Sequence, residues 1–136
     1  MSERVDKFCD GLRQRLNAIE ARVQSAKANI QALPGAAEKA LQTEVEEARG
    51  KLEAQKQHIE KTRADLMAWA ELKKAETQAV IREWKANRET AKLNARADRA
   101  SAYAEAAVAL AVASIDEAEE AILDAVVARM DAERAR

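Results

Sequence analysis

The residues able to do covalent or metal chemistry are few. His58 is the one histidine and Cys9 the one cysteine, and they sit on separate stretches of chain. An imidazole can act as a general base and a thiolate as a nucleophile, but nothing in the spacing pairs them. Helical bundles that hold di-metal centres use Glu-x-x-His on facing helices. Here Gln55 stands three residues before His58, so that pattern is absent. Asp116, Glu117, Glu119 and Glu120 cluster without an imidazole and read as a solvated acidic edge. With three glycines in the chain there is no glycine-rich phosphate loop. No catalytic, metal or cofactor residue is assigned from sequence, and the chain is expected not to be an enzyme.

The residues suited to recognition are more numerous. Trp69 and Trp84 point within about 60° of each other on a continuous helix. They are candidates for core packing or for anchoring a partner, because Trp is enriched at interface hot spots. Arg82, Lys85, Arg88, Lys92, Arg96 and Arg99 recur at helical spacing. Such a row could follow phosphates on a nucleic acid or an anionic lipid surface. Glu83 and Glu89 interrupt or adjoin it and the net charge is −1, so a solvated or internally paired face is the preferred reading.

These side chains need helices to position them. The chain has 136 residues, 48% hydrophobic and 35% charged, and 33 of the residues are alanine. The 23 basic and 24 acidic residues nearly cancel, which argues against charge-driven disorder. One proline and three glycines leave too few turns for a sheet protein. Alanine with Glu, Lys, Arg and Leu is the composition of long helices and coiled coils. The expected fold is all-α: an elongated antiparallel helical bundle or coiled coil of about three long helices, forming one domain over residues 1–136.

Val5, Phe8, Leu12, Leu16, Ile19, Val23, Ala26, Ile30 and Leu33 step by three and four, predicting a helix over 3–33. Ser2 is its expected N-cap. Pro34-Gly35 marks a turn, and a long helix follows from about residue 36 with Val45, Leu52, Ile59 and Leu66 at one heptad position. Gly50 is a weak point that is expected not to interrupt it. The polar segment 86–101 is the expected site of a bend or reversal.

From residue 97 to 135 an alanine-rich helix carries a ladder of small residues. Its members are Ala97, Ala100, Ala104, Ala107, Ala111, Ser114, Ala118, Ala121, Ala125, Ala128, Ala132 and Ala135. Small seam residues let two helix backbones approach closely, and the pattern resembles the packing of the antiparallel alanine coiled coils called Alacoils. Residues 51–100 carry 12 basic and 8 acidic groups, residues 101–136 carry 3 and 8. A reversal near 98–101 would set Arg82 against Asp116 and Lys74 against Asp124, and place Ile81 and Trp84 opposite Ala118 and Ile115.

Alanine buries little apolar area, so the core is expected to be shared between copies. A homo-oligomer, dimer favoured, is the expected assembly, with a protein partner of unknown identity. Nucleic acid or a membrane surface is the alternative partner. The function expected is that of a structural or protein-interaction scaffold. A single cysteine, no visible basic-apolar leader and no apolar run of membrane length point to the cytoplasm.

Overall fold

The computed structural model describes residues 2–135 and is an all-α helical bundle. Helix α1 spans Glu3–Ala32, and Ser2 caps it by accepting a hydrogen bond from the Val5 amide at 3.2 Å. The helix stops one residue short of the expected end, because Leu33–Gly35 tightens into a 3₁₀ turn with Pro34 near its start. Helix α2 spans Glu38–Ala75 and passes through Gly50 unbroken. Helix α3 spans Gln78–Ala86 and helix α4 spans Thr90–Arg134.

Two breaks lie between α2 and α4. At the first, Thr77 is extended and its hydroxyl accepts from the Val80 amide at 3.2 Å, so a side-chain cap starts α3 without any Gly or Pro. The second falls inside the expected 86–101 interval, at residues 87–89. There the Glu89 amide donates to the Trp84 carbonyl at 2.9 Å, and the Arg88 amide to that of Lys85 at 3.2 Å. This is the Schellman pattern that satisfies the last carbonyls of a helix. Arg88 occupies the left-handed position (φ 51°) where glycine is usual. The reversal therefore precedes residues 98–101, and α4 begins before the alanine ladder does.

The chain divides into two compact units. The first takes in the residues up to Gln57 together with those from Ala111 onward. Its buried apolar side chains are Ala26, Leu33, Leu41, Val45 and Ala113, with Leu41 fully enclosed. Within it α2 and α4 run antiparallel, since Glu38 pairs with Arg134 while Lys51 lies 3.9 Å from Asp116. Charged groups tie its three helices. Arg22 of α1 donates to Asp116 at 2.5 Å, and to Glu119 at 2.5 and 3.1 Å. Arg49 of α2 donates to Glu120 at 3.0 Å and Asp124 at 2.6 Å. The carboxylate of Glu119 as acceptor holds the Arg22 guanidinium above its ordinary pKa, against the opposing effect of burial and with help from Asp116.

These pairs correct the register expected from sequence. Asp116 and Asp124 meet Arg22, Lys51 and Arg49, whereas Lys74 pairs with Glu71 on its own helix. With the reversal at residues 87–89, the later part of α4 pairs with α1 and the first part of α2.

The second unit, His58–Leu110, contains the end of α2, all of α3 and the start of α4. Ile59 is buried in it, and Trp69 meets Tyr103 with ring centroids 6.4 Å apart at 58°. Trp69 meets Tyr103 while Glu76, just past the end of α2, pairs with the earlier Arg99, so the end of α2 and the start of α4 run antiparallel here too.

The alanine ladder faces outward. From Ala97 to Ala135 every member is exposed except the half-buried Ala104. The inward face of α4 is a neighbouring row, with Ala113 and Asp116 buried and Leu123, Val127 and Met130 half-buried. Leu, Val and Met give more burial per residue than Ala, so the helix turns that row toward α1 and α2. The ladder is not a seam within the chain.

Candidate functional site

The second unit holds a cavity of about 240 Å³. Its wall on α2 is Trp69 and Lys73, one face of the helix at a step of four, followed by Glu76 in the link just past the end of that helix. Its wall on α4 is Arg96, Arg99, Ala100 and Tyr103, again one face, and Ile81 of α3 completes it. The antiparallel register brings the two faces together, the Trp69–Tyr103 contact at one end and the Glu76–Arg99 ion pair at the other.

Charge in this cavity is unbalanced. Three cations, Lys73, Arg96 and Arg99, share one carboxylate, Glu76, whose side chain is 13% exposed. Arg99 takes the close contact with Glu76, while Arg96 Nε is 4.0 Å away, at the outer limit of an ion pair. Lys73 has no ion-pair partner among the described residues. Tyr103 remains 36% exposed, so one aromatic ring of the wall is open to solvent.

Of the recognition residues expected from sequence, Trp69, Arg96 and Arg99 converge here. Trp84 is half-buried and does not line the cavity. The basic row is split: Lys92 pairs with Glu89 at 2.8 Å, Arg96 and Arg99 turn to Glu76, and Arg82, Lys85 and Arg88 stay exposed. Acceptance of a hydrogen bond by Glu89 holds the Lys92 ammonium above its ordinary pKa. Sequence reasoning missed Lys73, Glu76 and Tyr103, and named Ile81 and Ala100 only as packing residues. The signal was present for two: Tyr103 is the one tyrosine, and Lys73 stands four residues after Trp69 on one helical face, whereas Glu76 lies just past the end of α2.

A second surface stands out in the first unit. Five large apolar side chains of α1 are exposed: Val5, Phe8, Leu16, Val23 and Ile30. Leu12, Ile19, Ala26 and Leu33, seven apart, are buried or half-buried, whereas Leu16, Val23 and Ile30, also seven apart, are exposed. The apolar stripe of α1 is thus wider than the unit covers.

A further cavity of about 330 Å³ in the first unit is lined by Glu44 and Glu47 with the Arg22–Asp116–Glu119 cluster. Among the described residues no group of three His, Cys, Asp or Glu is placed to hold a metal ion. Cys9 and His58 are both exposed. No helix of the described residues is long and apolar enough to cross a membrane. No family model, curated protein or solved structure matches the chain.

Proposed function

We propose that this chain is a non-enzymatic helical interaction protein, a scaffold or adaptor, that self-associates through α1 in the cytoplasm. The observation that carries the reading is the exposed row Leu16, Val23 and Ile30, extended toward the N-terminus by Val5 and Phe8. A heptad-spaced row of large apolar residues is what a helix presents to another helix in a coiled coil. A second copy of the chain is a fitting occupant, because the charges of α1 differ between its two ends. Its start, residues 3–10, carries three acidic groups (Glu3, Asp6, Asp10) against two basic (Arg4, Lys7), and its remainder four basic (Arg13, Arg15, Arg22, Lys27) against one acidic (Glu20), a balance of −1 against +3. Antiparallel copies would set these opposite charges across the seam, which selects orientation more than it adds affinity.

The α1 helix is about 45 Å long at 1.5 Å per residue, ample for several heptads of contact. A free thiol at Cys9 fits a reducing compartment. The competing reading, a nucleic-acid or anionic-lipid surface binder, draws on Arg82, Lys85 and Arg88, which are exposed and outside any ion pair among the described residues. It is the weaker one, because the row is split: Lys92 pairs with Glu89, and Arg96 and Arg99 line the cavity beside Glu76 instead of continuing the surface of Arg82, Lys85 and Arg88. Light scattering across a concentration series at two salt levels separates them. The scaffold reading expects a mass above 15.0 kDa that persists at high salt. A monomer retained on heparin or anionic vesicles at low salt and released at high salt would favour the surface binder.

A further inference from the structure

We infer that the cavity between α2, α3 and α4 in the second unit is a binding site for a small aromatic phosphate monoester. Three features of the cavity carry this inference. The first is charge: Lys73, Arg96 and Arg99 against Glu76 leave a local balance of +2 in a chain whose net charge is −1. A phosphate monoester near neutral pH carries about −1.5 to −2, enough to neutralise it. The second is preorganisation. Glu76 is mostly buried and holds Arg99, so that guanidinium is set before any ligand arrives, with Arg96 Nε 4.0 Å from the same carboxylate. Arginine presents paired N–H donors suited to phosphate oxygens, and the Lys73 ammonium adds a point charge.

The third is the apolar wall. Trp69 and Tyr103 meet at 58° with centroids 6.4 Å apart, so no ring is sandwiched between them. A planar group would instead stack on the open face of Tyr103, the more exposed ring. At about 240 Å³ the cavity lies just below the usual range of ligand pockets, about 300 Å³ and up, and suits one ring system with its phosphate. None of the residues lining the cavity belongs to α1.

The phosphate and ring could come from a mononucleotide or from a phosphorylated phenol. The full chain carrying Trp84→Phe, which leaves Trp69 as the sole indole, is titrated by fluorescence and calorimetry. The probes are adenosine 5′-monophosphate, phenyl phosphate, inorganic phosphate and adenosine. At least one aromatic monoester is expected to bind about tenfold or more tighter than inorganic phosphate and than adenosine. The preferred one identifies the source. Lys73→Gln and Arg96→Gln, both at exposed positions where folding is not at stake, should each weaken that binding about tenfold. Equal affinity for inorganic phosphate would overturn the aromatic part of the inference. No binding of either monoester, or binding indifferent to both substitutions, would overturn the site.

Discussion

Replacing Arg22 by Met tests how the first unit is held together. Arg22 bridges α1 to α4 by hydrogen bonds of 2.5 Å to Asp116 and of 2.5 and 3.1 Å to Glu119. Its side chain is 28% exposed, and those of Asp116 and Glu119 are 8% and 19% exposed. The substitution leaves two carboxylates one turn apart on α4, both largely shielded from water. Breaking a buried ion pair by removing one partner costs about 3–5 kcal/mol. Lys51, 3.9 Å from Asp116, offsets part of that, so about 3 kcal/mol is expected. For a chain of this length such a loss lowers Tm by about 10 °C. Asp116→Asn is milder, about 1 kcal/mol, since Arg22 keeps Glu119. Replacing all three by apolar residues (Arg22→Met, Asp116→Leu, Glu119→Leu) should restore most of the stability, because no buried charge is then unpaired. Urea and thermal unfolding followed by circular dichroism measure all three. A loss below about 1 kcal/mol for Arg22→Met, or a triple variant no better than the single one, would refute the argument.

Other substitutions probe the remaining elements. Leu41→Ala removes the one fully enclosed large side chain among the described residues and should cost about 2–5 kcal/mol in unfolding assays. Arg88→Gly relieves the left-handed backbone at the end of α3 and should raise stability by about 0.5–1 kcal/mol, read as a higher urea midpoint. Thr77→Ala removes the cap of α3 and should cost about 1 kcal/mol, with hydrogen exchange accelerating at the first amides of that helix. Lys92 has a folded-state pKa raised above 10.5 by Glu89, so its contribution is present below that pH and fades as pH rises through the raised value. An NMR titration of its ammonium should move to lower pH in Glu89→Gln.

Some of this structure was legible from short-range patterns. Leu33-Pro34-Gly35 ends α1 because Pro cannot continue a helix, and no other residue pair in the chain says so as plainly. The cluster at 86–101 was visible as polar residues, but Arg88 fills the place where Gly would have fixed the turn's position. The break at Thr77 left a weaker trace, a lone capping residue inside an otherwise helical pattern. Helical spacing shows which residues share a face and not which face turns inward. For that reason the alanine ladder was recognisable as a row while its exposure was not. The α1 seam divided for the same reason, with Ile19 turned in and Leu16 and Val23 turned out.

The cavity shows the limit more sharply. Trp69, Arg96 and Arg99 were singled out separately, yet what joins them is the antiparallel register of α2 and α4. Within the second unit that register shows in the Glu76–Arg99 ion pair and the Trp69–Tyr103 contact. The partners in each pair lie more than twenty residues apart in the chain, and no local pattern encodes such a pairing.

Self-association through α1 is tested most directly by sedimentation equilibrium of the chain beside its Leu16→Glu, Val23→Glu double variant. Both positions are exposed within the chain, so the variant should keep its helical circular dichroism. Twice the 15.0 kDa chain mass is expected for the unaltered protein and 15.0 kDa for the variant. A 15.0 kDa species at every concentration, or a dimer untouched by the two glutamates, would contradict it.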